Sequence, residues 1–148
     1  MKVLAIFTCY NRRELTRQSM ELLGQNKNVT FDYVIVNDGS TDGTDEMLAA
    51  MPYEIDLING DGGLFWNRGM YEAIEHAKKA HPDYEYYMLM NDDTKFVPGI
   101  FDEMLPLFAP DKVMVGAMCG DDGRMSYGGI KSVSYTHLRA HETDSYLV

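Results

Sequence analysis

The sequence predicts an α/β fold, with a doubly wound and mainly parallel sheet. Two short runs, VLAIF at residues 3–7 and YVIV at residues 33–36, are apolar throughout, as expected of strands that are buried on both faces of a parallel sheet. Segments with helical spacing of apolar residues follow each strand, which gives the order β-α-β-α-β-α-β. In such sheets the crossovers are right-handed and ligands bind beyond the carboxyl ends of the strands.

Three helices are predicted between the first four strands, and the third and fourth strands are expected at residues 54–59 and 84–90. The expected buried stripes of these helices are, in order, Leu15-Ser19-Leu22-Leu23, Thr44-Met47-Leu48-Met51 and Trp66-Met70-Ala73-Ile74-Ala77. A fourth helix is predicted to start at Pro98 and to run through Phe108. Beyond it, two strand-like runs at 113–119 and 124–130 flank the sequence DDG, which predicts a hairpin.

Composition and charge narrow the classes of function. The chain has 148 residues and a formal net charge of −10, which argues against a nucleic-acid partner because phosphate binding needs a basic face. The sequence contains no long apolar span and no signal peptide, so we expect a cytoplasmic protein whose membrane association is at most peripheral. Cys9 and Cys119 are expected to be free thiols, and His76 and His81 to be solvated.

Polar residues gather where the predicted strands end, at Thr8, Asp38, residues 60–63 and residues 91–93. Asp92 and Asp93 offer hard oxygen ligands for Mg²⁺ or Mn²⁺, which often share such ligands with a diphosphate. The same pair is also compatible with a solvated turn that caps the next segment. Asp38 could bond a ribose or a base edge, or form an Asx turn before the second helix.

Four motifs carry a resemblance to a known family. They are CYNR at 9–12, VIVNDGSTDGT at 34–44, GGLFWNRGMYEAI at 62–74 and MLMNDDT at 88–94. In this order and spacing they resemble the family-2 glycosyltransferases of the GT-A fold over residues 2–131. The resemblance implies a nucleotide-diphosphate sugar donor, a glycan or lipid-linked acceptor, and a role in polysaccharide biosynthesis.

The resemblance also implies roles for residues that bind the donor substrate. Thr8, Tyr10 and Asp38 match positions that hold the base and ribose of a nucleotide sugar. Arg68 matches a basic position that faces the nucleotide, and Arg12 is a second basic candidate.

Residues 91–93 match the DXD motif of the family, with Asn91 in place of the first acid. The resemblance implies that Asp93 binds Mn²⁺ or Mg²⁺ and that Asp92 contributes to substrate binding. The metal and a basic side chain would offset the negative charge that develops on the departing nucleoside diphosphate. Members of this family usually invert the anomeric centre, with a carboxylate base on the acceptor side.

The catalytic base is not identifiable in this sequence, so the catalytic residue is unknown. We expect residues 1–132 to form the nucleotide-sugar-binding domain of a truncated glycosyltransferase that lacks the acceptor half. Residues 133–148 resemble translated sequencing adaptor and are expected to be unstructured. The pair His137 and His141 lacks the glutamate of the HExxH metal-binding motif, so no metal is expected there.

Three other classes of protein share some of these features. A nucleotide-sugar binding module without turnover would carry the same donor site. A sugar-phosphate nucleotidyltransferase would share the sheet order, but it should have a glycine-rich loop after the first strand, where this chain has TCYNRRE. A receiver-type signalling domain fits less well, because its acid pair would follow the first strand.

Overall fold

The computed structural model describes residues 1–109, 112–116, 118–120, 124–127, 130–132 and 138–140. The chain divides into two compact units, Met1–Leu107 and Phe108–Val148.

The first unit is a four-stranded parallel sheet with helices, which confirms the predicted fold class. Its sheet order is β3-β2-β1-β4, and every neighbouring pair is parallel. The strands are β1 Lys2–Cys9, β2 Thr30–Asn37, β3 Ile55–Asn59 and β4 Tyr86–Leu89. The helices are α1 Arg13–Leu23, α2 Thr44–Ala49, α3 Phe65–Ala80 and α4 Ile100–Met104, followed by a 3₁₀ turn at Leu105–Leu107.

The two central strands form the core. In both β1 and β2 every residue after the first is buried, as their uninterrupted apolar runs predict. The edge strands β3 and β4 are less buried, because each has a neighbouring strand on one side only. Most residues of β3 are partly exposed, and the residues of β4 alternate between partly and fully exposed. β1 and β2 pair over their whole length, from Lys2 opposite Thr30 to Cys9 opposite Asn37. Their carboxyl ends therefore finish level with each other.

The direction of winding reverses at β1. From β1 the chain moves outward through β2 to β3, and α3 then carries it back to β4 on the other side of β1. Right-handed crossovers that run in opposite directions place their helices on opposite faces of the sheet. Consistent with this rule, α3 contacts β1 and β2, while α1 contacts α2. The crevice between the carboxyl ends of β1 and β4 is thus the topological switch point, where ligands bind in such sheets.

The buried face of α1 differs from the predicted stripe. The helix buries Thr16, Ser19, Met20 and Leu23, whereas Leu15 is largely exposed. Two small polar side chains, Thr16 and Ser19, thus belong to the buried face. Hydrophobic periodicity alone misses such a rotation of the helix because it counts only apolar residues.

The fourth helix also differs from the prediction at both ends. It begins at Ile100, after Gly99 in a left-handed conformation with φ 75°, and not at Pro98. It ends at Met104 and tightens into the 3₁₀ turn that contains Pro106. Proline lacks the N–H that the continuing helix would need, which explains the early end.

The second unit contains two short antiparallel pairs. Strands β5 Met118–Cys119 and β6 Met125–Tyr127 pair as the predicted hairpin, with shorter strands than expected, and its turn at residues 121–123 lies outside the described residues. Strands β7 Ile130–Ser132 and β8 Leu138–Ala140 form the other pair. β8 belongs to the segment 133–148 that is predicted to be an unstructured tail. The other residues of that segment are not described, so the boundary at residue 132 stays a prediction.

In the parts of the chain that the structure describes, no helix has the length and apolar character needed to cross a membrane.

The helix α3 lies close to β1 at Gly69. A Cβ atom at this position would lie 2.6 Å from Thr8 Oγ1 and 3.0 Å from Thr8 Cβ. Real Cβ atoms do not sit this close to another side chain, so the glycine is required by the packing of α3 on the sheet.

We predict that Gly69→Ala lowers the free energy of unfolding by about 1–3 kcal/mol, because overpacking outweighs the gain of roughly 1 kcal/mol in helix propensity. Combining it with Thr8→Ala should reduce the penalty, since the nearest atom is removed. Denaturant unfolding measures each value. Gly116→Ala is the control, because no atom of the described residues lies within 4 Å of its added Cβ and a change within about 0.5 kcal/mol is expected. Equal effects of the two alanines would contradict the contact.

Candidate functional site

The carboxyl ends of β1 and β4 bring one arginine and two aspartates together. Arg12 follows β1, and residues 91–93, here called the acidic turn, follow β4. The Arg12 Nη1 atom lies 3.3 Å from Asp92 Oδ1 and 2.7 Å from Asp93 Oδ2. These residues are about 80 positions apart in sequence and meet only because β1 and β4 are neighbours. One guanidinium therefore bridges two carboxylates at the switch point.

The two carboxylates of the acidic turn have different environments. The Asp92 side chain is 8% exposed, whereas the Asp93 side chain is 41% exposed. Burial raises the pKa of Asp92, the nearby Asp93 charge adds to this effect, and Arg12 opposes it. Asp93 is therefore the carboxylate that an ion or ligand from solvent can reach, and Asp92 lies behind it.

Asp38 is buried and its carboxylate is fully engaged by backbone. Its Oδ1 accepts hydrogen bonds from the N–H groups of Gly62 at 2.9 Å and Leu64 at 3.3 Å. Its Oδ2 accepts from Leu64 at 3.0 Å and Phe65 at 2.9 Å. These groups belong to the loop of residues 60–65 and to the first residue of α3. In this structure Asp38 holds the loop and the start of α3, and it is not open to solvent as a nucleoside ligand would be.

The loop of residues 60–65 packs directly on Asp38. A Cβ atom at Gly60 would lie 2.5 Å from Asp38 Oδ1 and 3.0 Å from its Cα. Only a glycine leaves room for the carboxylate between the loop and the end of β2. The sequence GDGG is therefore explained by the space that Asp38 occupies and by the positive φ of 89° at Gly62.

Strained backbone is found at the same edge of the sheet. Among the described residues, two that are not glycine have positive φ, Asn11 with 50° and Phe65 with 54°. Asn11 is tied to the loop after β2, because its N–H donates to Ser40 Oγ and its Oδ1 accepts from the N–H of Thr41. Such conformations cost of order 1–3 kcal/mol each and persist at sites where the surroundings enforce them.

Exposed aromatic residues line the start of α3. Phe65 is 76% exposed and Trp66 is 58% exposed, and Tyr10 after β1 is also exposed. The sequence places Trp66 on the apolar stripe of α3, as part of the core or of a cleft wall; Trp66 is exposed and does not belong to the core, whereas Met70 from the same stripe is buried. The Trp66 indole Nε1–H donates to Asn91 Oδ1 at 3.0 Å. Trp66 therefore ties the start of α3 to the acidic turn, a link that sequence spacing does not reveal.

Two predicted donor-binding residues have other partners here. The Thr8 hydroxyl is buried and donates to the Val36 carbonyl at 3.1 Å, beside the close contact with Gly69. Arg68 is mostly exposed, and its Nε donates to Glu72 Oε1 one turn along α3 at 3.1 Å. Among the described residues, neither side chain has a hydrogen bond or ion pair with the acidic turn. The structure thus brings Arg12, Asp92 and Asp93 together and leaves Thr8 and Arg68 apart from them.

An open groove between α1 and α2 is a weaker candidate for ligand binding. It is lined in part by Arg17, Glu21 and Met47. Arg17 is already paired with Glu14 and Glu21 on its own helix, at 2.5 Å from each. The Arg17 charge is therefore already engaged within α1.

The acidic turn has the donor set for a divalent cation. Its two carboxylates present oxygen atoms that already share one cationic group, the Arg12 guanidinium. Hard oxygens of this kind are the ligands of Mg²⁺ and Mn²⁺, and the exposed Asp93 leaves an approach from solvent. The residues present therefore fit such an ion, provided that Arg12 moves aside or turns to an anionic ligand.

Comparison with known proteins identifies the family of this chain. The family model of Glycosyl transferase family 2 matches residues 5–143, a range that includes most of β1, the loop of residues 60–65 and the acidic turn. The match also includes residues 133–143, which belong to the segment that is expected from the sequence to be a tail. A search of curated proteins found no match. Because the family model covers most of the chain, this protein belongs to glycosyl transferase family 2.

Proposed function

We propose that this glycosyltransferase takes a sugar from a nucleoside-diphosphate donor and transfers it, with inversion, to an acceptor hydroxyl of a glycan or lipid-linked glycan. The observation that carries the proposal is the Arg12 guanidinium between Asp92 and Asp93 at the topological switch point. Two carboxylates in a place where sugar nucleotides would bind need a cation between them and the diphosphate.

Charge arithmetic supports a divalent ion in this place. Ionised Asp92 and Asp93 with Arg12 sum to one negative charge, which would repel a diphosphate. Adding Mg²⁺ or Mn²⁺ changes the sum to one positive charge and frees Arg12 to contact the diphosphate. When bound, the ion would act as a Lewis acid that offsets the charge on the departing nucleoside diphosphate.

The residues of this chain would then have separate roles. Asp93 would bind the ion from the solvent side, and Asp92 would hold Arg12 in position. Asp38 would position the loop of residues 60–65, whose glycines allow backbone to lie close to a ligand. Tyr10 is exposed and remains a proposed contact for the nucleoside. Thr8 and Arg68 would need to exchange their present partners before they could contact it.

We propose residues 1–132 as the donor-binding part of the chain and assign no catalytic base. A donor-binding module without turnover would have the same site, and a transfer assay with a defined acceptor separates the two. No observation on the described residues favours the alternative function of a sugar-phosphate nucleotidyltransferase.

Metal-dependent donor binding provides the first test. With Mn²⁺, UDP, dTDP or GDP should raise the melting temperature, and a nucleotide at about 100 times its Kd adds about 2.7 kcal/mol of stability. Asp93→Asn should remove the Mn²⁺-dependent part of this shift, because it removes the negative charge of the accessible carboxylate that would bind the ion. Differential scanning fluorimetry with and without Mn²⁺ measures the effect.

Asp83→Asn is the matched control, since Asp83 is an exposed aspartate away from the acidic turn. This variant should respond to Mn²⁺ and nucleotide like the parent chain. If the three nucleotides fail to shift the parent with Mn²⁺, or if Asp93→Asn responds fully, the acidic turn is not a metal and diphosphate site.

The buried carboxylate of Asp92 predicts a pH-dependent stability difference. Its pKa is raised in the folded chain by burial, so the ionised form destabilises the fold at neutral pH, and this cost disappears as the pH falls below the ordinary aspartate pKa of about 4. Asp92→Asn should therefore be more stable than the parent at pH 7, with a smaller difference at pH 4. Denaturant unfolding at both pH values tests this. A variant that is less stable at pH 7 would show that the Arg12 contact outweighs burial.

The link between Trp66 and Asn91 gives a prediction about positioning. Trp66→Phe keeps an aromatic ring but removes the Nε1–H that donates to Asn91. We expect the nucleotide affinity measured in the presence of Mn²⁺ to fall about two- to tenfold. This range corresponds to the loss of one hydrogen bond that contributes about 0.5–1.5 kcal/mol. Calorimetric titration measures this loss. Phe65→Leu removes the neighbouring aromatic ring but no hydrogen bond, and a loss seen only in that variant would indicate stacking instead.

A further inference from the structure

Two histidines and an aspartate meet at the far end of α3. His76 lies in the second half of α3, His81 follows its last residue, and Asp56 lies on the edge strand β3. Asp56 Oδ2 is 2.7 Å from His76 Nε2 and 2.9 Å from His81 Nε2. One ligand atom from each residue lies within 4.8 Å of the other two. Each imidazole therefore directs its Nε2 atom at the same carboxylate oxygen, Asp56 Oδ2.

His76 and His81, which are expected from the sequence to be solvated, are partly exposed and also share the Asp56 carboxylate. Their side chains are 40% and 29% exposed, and the Asp56 side chain is 36% exposed. The cluster is thus ordered by its own contacts yet open enough for an ion to enter. A histidine that only fills the core would be less exposed than these two side chains.

Charge at the cluster favours a cation. The Asp56 carboxylate supplies the negative charge, and its Oδ2 atom lies between the Nε2 atoms of His76 and His81 at 2.7 Å and 2.9 Å. The cluster also lies at the carboxyl end of α3, where the helix dipole favours positive charge.

Neighbouring groups restrain His81. Its backbone N–H donates to the Ala77 carbonyl at 2.9 Å, and its carbonyl accepts from the Tyr87 hydroxyl at 2.6 Å. The Tyr84 ring packs edge-on against the imidazole, with centroids 5.9 Å apart. Held from three sides, His81 can keep its Nε2 directed at the cluster. Such support is what a metal ligand needs in order to bind without a large loss of side-chain freedom.

We propose that Asp56, His76 and His81 form a binding site for a divalent transition metal such as Zn²⁺. Two imidazole nitrogens and one carboxylate oxygen are ligands of zinc, and three protein ligands leave a further position for water. The softer nitrogen ligands distinguish this site from the all-oxygen acidic turn. The metal would join β3 to the end of α3 in place of the two hydrogen bonds.

This site is separate from the proposed donor site. Trp66 contacts the acidic turn, and His76 lies ten residues further along α3, about 15 Å away at 1.5 Å per residue. The failure of one site would therefore not imply the failure of the other.

The test titrates the full chain, freed of metal by a chelator, with Zn²⁺ and with Co²⁺. We expect Zn²⁺ to bind by calorimetry and to raise the melting temperature, and Co²⁺ to give the intense visible absorption of a low-coordinate nitrogen and oxygen site. His76→Gln and His81→Gln, each alone and together, should weaken Zn²⁺ binding by at least about tenfold. The single variants keep the test valid if the double variant does not fold.

His137→Gln with His141→Gln is the matched control, because these are the other two histidines of the chain. Cys119→Ser controls for the exposed thiol. Both variants should bind Zn²⁺ like the parent. The proposal is overturned if the parent does not bind Zn²⁺ or Co²⁺, or if binding is lost in either control and kept in the His76 and His81 variants. In either case the cluster is a hydrogen-bonded connection between β3 and α3.

Discussion

The carboxylate of Asp38 holds the start of α3, and much of the described site depends on this interaction. Three backbone N–H groups at the beginning of the helix donate to its two oxygens, and glycine at residue 60 leaves the necessary space. Charge-assisted hydrogen bonds of this kind are stronger than neutral ones, and here they are buried. They also maintain the left-handed conformation of Phe65. With its start held, α3 can place Trp66 against the acidic turn and Gly69 against Thr8.

This arrangement changes how a familiar motif is interpreted. An aspartate after the second strand of such a sheet is expected to contact the nucleoside, yet here its oxygens are used by the loop of residues 60–65. Any effect of Asp38 on a ligand would therefore act through the backbone of that loop and through the position of α3. Substitution of Asp38 would therefore disturb the start of α3 as well as the binding of any ligand. A loss of binding alone would not identify Asp38 as a direct ligand contact.

The sequence predicts the fold well and the site in part, for identifiable reasons. Strands β1 and β2 are continuous apolar runs whose burial follows from composition alone, so their place at the centre of the sheet is predictable. The acidic turn is predictable because it follows a strand directly. The contact of Arg12 with Asp92 depends on strand order, and the exposure of Trp66 depends on where α3 begins. The histidine cluster joins residues 20 and 25 positions apart through side-chain geometry, which no local pattern encodes.

The helix dipole gives the two ends of α3 partial charges of opposite sign. Its amino end meets the buried Asp38 carboxylate, which accepts the N–H of Phe65 and whose negative charge the helix dipole stabilises. Its carboxyl end presents carbonyl groups beside His76 and His81, where positive charge is stabilised. A single helix thus favours an anion at one end and a cation at the other. A cation bound at the histidine cluster would also restrain the end of α3 opposite to Asp38. The rigidity of α3, and with it the position of Trp66, would then depend on both ends.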